Sequence, residues 1–194
     1  LLLVPSAELN NGLVHVVGLN IRKESDSGES SPQELIDRIN RDGGVAIVAH
    51  PYWSGLAMRD LHELQGYACI EVYNNVCQCL RGKGYSSVHW DDLLQEGRTV
   101  WGVAADDAHN LDPKRFDRDV LGSFVMVKAP SLDAAAIAAA IRRGEFYSST
   151  GVEIRDLRIE GGTLVVETSP AAFIDFIGFN ASGLRISGLG REIR

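Results

Sequence analysis

The strongest constraint in this sequence is a change of rhythm near residue 144. Before it, short apolar runs rich in β-branched residues alternate with segments of helical periodicity; after it, only strand-like runs remain. Residues 13–21, 45–49, 69–73, 100–105 and 124–128 are too short for buried helices and are flanked by turn formers, which predicts strands. Between them, Ser30 or Ser31 followed by Pro32 marks a helix start, with Leu35, Ile36 and Ile39 on one side and Gly43-Gly44 as the stop. Residues 59–64, 88–95 and the alanine-rich 131–143 read as further helices. Strands joined through helices by short connections predict parallel βαβ units and an α/β fold. Residues 146–147, 154–159, 163–168 and 173–179 read as strands separated by Gly-Gly, Ser-Pro and Asn-Ala-Ser-Gly turns. The expected organisation is a domain over residues 1–150 and a small β-rich appendage over residues 151–194. The opening Leu1-Leu2-Leu3-Val4, without an initiator Met, predicts a strand already under way, closed by Glu8, and a further segment upstream.

In sheets of this class the strand interiors are consumed by packing, and sites form where loops converge at the carboxyl ends. Glu8, His50 and Asp107 with His109 each fall at such an expected end, and His15 shares a strand face with Leu13, Val17 and Leu19. Carboxylate oxygens and imidazole nitrogens together suit zinc, manganese or iron. A plainer reading stands beside this one: a histidine before proline can cap a loop, and one on an apolar face can bond a carbonyl. Asp106-Asp107-Ala108-His109 resists it, because two adjacent acids ending an apolar strand are costly without a cation.

Around these residues, Tyr52 and Trp53 would overhang the pocket behind His50, and Glu71 and Asn74 would line its mouth. Arg81, Lys83, Lys114 and Arg115 are candidate phosphate contacts, while Tyr147, Ser148 and Ser149 could face the site or pack the appendage. His62 and His89 read as surface or capping residues. Cys69, Cys77 and Cys79 form neither a disulfide framework nor a zinc knuckle, so a reducing compartment, the cytoplasm, is expected. A net charge of −7 argues against a nucleic-acid or anionic-membrane surface, and the apolar run at the start is too short to span a bilayer.

Taken in order, Glu8 with His15-Val16-Val17-Gly18-Leu19, then Ala49-His50-Pro51, then Asp107-Ala108-His109 resemble the later motifs of the PHP (polymerase and histidinol phosphatase) family of metal-dependent phosphoesterases. Gly144-Glu145-Phe146-Tyr147-Ser148-Ser149-Thr150-Gly151, after the alanine-rich helix, is similar to the branch containing the CehA-type metallohydrolases. The resemblance covers most of the chain up to about Gly151. It implies a distorted TIM-like (β/α)7 barrel, N-terminally incomplete here, with two or three divalent metal ions at its carboxyl face. By the resemblance, Glu8 would bridge two metals, His15 and His50 would complete the second, Asp107 would ligate the first and His109 the third. The family's opening His-x-His motif, and the Asp and His that follow it, have no counterpart before Glu8, so the second site alone is fully represented and this chain by itself is expected to be an incomplete catalyst.

The activity so implied is hydrolysis of a small phosphorylated compound or nucleotide by an activated, metal-bridging hydroxide, with Glu8, Asp107 and His109 at the reacting centre. Tyr52, Trp53 and Asn74 would contact the substrate, and the metals would supply the positive charge this acidic chain lacks. The same chemistry would serve a carboxylic ester or carbamate. A domain that kept the fold but lost part of the cluster would instead be a non-catalytic binding scaffold. Oligomeric state has no signature in the sequence.

Overall fold

In the computed structural model, which describes residues 1–22, 30–109, 119–187 and 192–193, the apolar runs of the first half form an open five-stranded sheet. Strands β1 (Ser6–Asn10), β2 (His15–Leu19), β3 (Val45–Val48), β4 (Cys69–Asn74) and β5 (Trp101–Ala105) lie side by side in chain order. The β1–β2 and β2–β3 pairs are antiparallel, and β3–β4 and β4–β5 are parallel. A separate two-stranded sheet pairs β6 (Phe124–Val127) with β7 (Phe146–Ser149). Apart from Ser149, the last residue of β7, these elements belong to one of two compact units, Leu1–Ser148; the other is Ser149–Arg194.

The expected TIM-like (β/α)7 barrel is corrected by this topology: among the described residues no barrel closes. Closure requires every strand to pair on both sides, whereas β1 and β5 end the hydrogen-bonded order and β6 pairs elsewhere. The uniform βαβ reading also fails at its first unit, because the chain returns from β2 through a helix to an antiparallel β3. Nor does the first strand end at Glu8. It runs from Ser6 to Asn10 and sets Glu8 opposite Val17 in mid-strand.

The period-two alternation of side chains gives the sheet two unlike faces. On one, Val16, Val48 and Ile70 are fully buried against Leu35, Ile36 and Ile39 of α1 (Pro32–Arg41), with Leu61 of α3 (Met58–Glu63) and Leu93 of α5 (Ser87–Gln95) in the same core. Helix α1 begins as its sequence demands: the Ser31 hydroxyl takes the Glu34 N–H and the Glu34 carboxylate takes the Ser31 N–H. On the other face, Val17, Leu19, Val45, Ile47, Cys69 and Val103 meet Ala138 and Ile141 of α6 (Ala134–Arg142), together with Val125, Val127 and Phe146. Asp133 caps α6 by accepting the N–H groups of Ala135 and Ala136.

Two short helices grow directly from strand ends, α2 (Pro51–Ser54) after β3 and α4 (Asn75–Arg81) after β4. At four and seven residues they are too short to show a helical period in the sequence. In the second unit, β8 (Ile154–Glu160) and β9 (Thr163–Thr168) form a hairpin whose turn, Gly161-Gly162, has both φ angles positive, +55° and +83°, as a type I′ turn requires. Strand β12 (Glu192–Ile193) pairs on the far side of β9. Strands β10 (Phe173–Ile177) and β11 (Gly183–Ser187) pair antiparallel, fastened by Arg185 at 2.6 and 2.7 Å from the two Asp175 oxygens.

Candidate metal centre

The β1–β2 hairpin brings the first two donors together. Asn10 faces His15 and Glu8 faces Val17, so Glu8 and His15 are diagonal neighbours on the same face. His15 Nδ1 lies 2.5 Å from Glu8 Oε1. The carbonyl of His15 accepts the Ala49 N–H at 3.0 Å, which delivers the next residue, His50, to the same end of the sheet.

His50 is held in an uncommon backbone conformation, φ 27° and ψ 57°, between the end of β3 and the first residue of α2. Non-glycine residues with positive φ cost about 1 kcal/mol or more and need surrounding contacts to persist. Here the contacts are explicit. The buried Glu71 carboxylate accepts the His50 N–H at 2.9 Å, the His50 carbonyl accepts the Ser54 N–H at 3.1 Å, and the Ser54 hydroxyl lies 3.2 Å from His50 Nδ1. With Nδ1 engaged, Nε2 points to Glu8 Oε1 at 3.4 Å and to Asp107 Oδ2 at 4.0 Å. Trp53 closes the side of the group edge-on, its ring 5.0 Å from that of His50 and 5.9 Å from that of His15.

Asp107 shares the backbone peculiarity, with φ 56° just beyond β5. Fully buried Asn74 secures it: its amide donates to Asp107 Oδ2 at 3.2 Å and Glu71 Oε2 at 2.9 Å, while its oxygen caps α4 at the Cys77 N–H. The neighbouring Asp106, the other acid of the pair, has a different task. Its carboxylate accepts the N–H groups of Leu121, Gly122 and Ser123 and so anchors a loop.

Ionisation follows from this crowding. The hydrogen bond from His50, helped by His15, holds the Glu8 carboxyl down to about 2 against the opposing effect of burial. Burial works against charge on His50, yet Glu8, Glu71 and Asp107 together raise its pKa above the usual histidine value. Burial raises the carboxyls of Glu71 and Asp107, and burial beside these acids pushes the Cys77 thiol up to about 12. With neutral imidazoles, the cluster carries surplus negative charge that a divalent cation would offset.

The donor set fits such an ion. One atom each from Glu8, His15 and His50 lie within 4.8 Å of one another. Metal–donor bonds of about 2.0–2.2 Å place donors around one ion roughly 3–4 Å apart; the two pairs that meet at Glu8, 2.5 and 3.4 Å, lie on either side of the lower end of that range, so small side-chain shifts would seat an ion.

The other expected residues distribute unevenly. A cleft of about 270 Å³ is lined by the three donors with Asp107, His109 and Trp53, and by Val76, Cys77, Leu80 and Arg81 along one side of α4. His109 lies outside the three-donor group, 71% exposed, its Nδ1 2.6 Å from the Asp107 carbonyl. Tyr52 is exposed beneath Lys83, whose ammonium is 5.3 Å from the ring centre, and does not line the cleft. Asn74, expected at the mouth, is buried behind it. Ser148 and Ser149 donate to the Gly102 and Val152 carbonyls. His62 pairs with Glu96 at 2.9 Å and His89 lies 3.0 Å from the Leu56 carbonyl. Lys114 and Arg115 lie outside the described residues. Two residues escaped the sequence reading. Ser54 was silent, and Cys77, read as incidental, lies 3.9 Å from Asp107 Oδ2; only its place at the third position after an Asn cap could have pointed inward.

Neither known family models nor curated proteins match this sequence. Among solved structures, the chain is similar to a two-domain protein from Bacteroides vulgatus ATCC 8482 described as containing a predicted PHP-like metal-dependent phosphoesterase, with a TM-score of 0.60 and 11% identity. The match covers 98% of this chain and 64% of that one, so this chain spans less than two thirds of the other's length. At such identity the likeness shows a shared fold and nothing of activity. No helix among the described residues is long and apolar enough to cross a membrane.

Proposed function

We propose that this chain carries the metal centre of a metal-dependent hydrolase acting on small phosphorylated compounds. The observation that supports it most is the convergence of Glu8, His15 and His50, from two hairpin strands and the end of a third, onto one point at the sheet edge. That two residues at this point, His50 and Asp107, hold positive φ fits a site where geometry is bought with backbone strain.

Glu8, His15 through Nδ1 and His50 through Nε2 would hold zinc, manganese or iron, with Asp107 as the next donor and His109 at the opening. When bound, such ions acidify water to near neutrality and offset charge developing on phosphoryl oxygens. The chain's own residues do the rest. The Ser54 hydroxyl, 3.2 Å from His50 Nδ1, would accept the Nδ1 proton when Nε2 serves as the ligand. Asn74 donates to both Glu71 and Asp107 and so fixes their position, Trp53 packs edge-on against the imidazoles, and Arg81 on the cleft wall attracts the substrate's anion. All three cysteines are free, which suits the reducing cytoplasm.

Titrating the metal-free chain with Zn²⁺ or Mn²⁺ by calorimetry should give stoichiometric binding. The loaded full-length protein should hydrolyse 4-nitrophenyl phosphate faster than 4-nitrophenyl acetate. Absence of stoichiometric binding would leave a non-catalytic scaffold, and preference for the acetate would make the protein a carboxylic esterase.

A further inference from the structure

A second cavity, about 300 Å³, adjoins the cleft on the same face of the sheet. Val17, Leu19, Ile47 and Val103 form its floor, and Val125 of β6 and Ile141 of α6 face them. Its polar side chains are Glu8, Glu71 and Asp107. Glu71 is already committed to the His50 N–H and the Asn74 amide. Glu8 and Asp107 line both cavities, so the candidate metal donors stand at the boundary between a mixed cleft and an apolar chamber.

The space is open to solvent on one side, so a ligand can enter it, and an apolar cavity of about 150 Å³ is already large enough to take up benzene. A sugar or other hydroxylated group entering such walls would give up hydrogen bonds to water without replacing them. A hydrocarbon group would gain roughly three- to fourfold in affinity for each buried methylene. We propose that this chamber receives an aliphatic or aromatic group attached to the substrate's phosphoryl, so that the protein selects apolar phosphate esters over sugar phosphates. The inference rests on the metal-centre reading above and adds to it the substrate class.

Two non-hydrolysable probes separate the two ideas. Calorimetry of the zinc-loaded chain should show methylphosphonate and hexylphosphonate both binding, the hexyl compound tighter by about 30-fold if three of its five additional methylenes are buried and by more if all five are. Replacing Val125→Trp, which fills the chamber from β6, should bring the ratio close to one, with zinc stoichiometry reporting that the variant is folded. Should that variant fail to fold, Ile141→Phe narrows the same space from α6. Equal affinity of the two phosphonates for the unsubstituted chain would overturn the chamber's role and leave the phosphoryl-binding metal centre standing. Zinc binding with neither phosphonate bound would overturn both.

Discussion

The two faces of the five-stranded sheet are made from the same strands and the same kinds of residue, yet they are finished differently. One is sealed by α1, with Leu35, Ile36, Val16, Val48 and Ile70 removed from solvent almost entirely. The other is only partly covered by α6 and β6, leaves a chamber, and gathers Glu8, Glu71 and Asp107 at one end. The closed face supplies stability that the open face gives up: buried carboxylates, positive φ angles and unfilled apolar space all cost free energy. Substitutions on the two faces should therefore separate folding from metal binding.

The largest effect is expected on the closed face. Leu35→Ala should cost about 2–5 kcal/mol in chemical denaturation, because a fully buried leucine leaves a cavity, while metal affinity of the folded fraction stays unchanged. On the open face, His50→Ala should weaken zinc affinity about 100-fold or more by calorimetry, with a far smaller change in denaturation midpoint; a loss of folding equal to that of Leu35→Ala would erase the contrast. Ser54→Ala removes only the group that fixes the imidazole, and should weaken zinc about 10-fold. The smallest effect is a matter of pH. Glu8 titrates at about 2 rather than its reference 4.5, so its contribution is complete above 4.5 and fades as pH falls toward 2. The melting temperatures of the metal-free chain and of Glu8→Gln should accordingly converge over that interval, and a constant gap down to pH 2 would show that Glu8 is not held by the histidines.

What the sequence disclosed divides along similar lines. Ser30 or Ser31 before Pro32, the apolar Leu35, Ile36 and Ile39, and the Gly161-Gly162 turn were legible because their reasons are local: a cap, a period, a sign of φ. The direction of β3 against β2 was not, since residues 20–44 join the strands whichever way β3 runs, and only tertiary packing decides. The barrel came from family resemblance, not from residues in hand. Within the site, donor residue types were readable, but only the family resemblance singled out Asp107 over Asp106, because what separates them physically is which one meets three backbone N–H groups from residues 121–123. Glu8 was misplaced at a strand end because the leucine-rich opening looks like the strand and is in fact its approach.

The hairpin geometry of the first two donors has a consequence for the order of assembly. Glu8 and His15 are 7 residues apart, whereas Glu8 and His50 are separated by 42. For a flexible chain the longer closure costs roughly 1.6 kcal/mol more entropy, so the short loop is the one that can form and reopen on its own. The folding chain thus acquires a two-toothed clasp early, and the arrival of β3 is the event that locks it, coupling completion of the centre to completion of the fold.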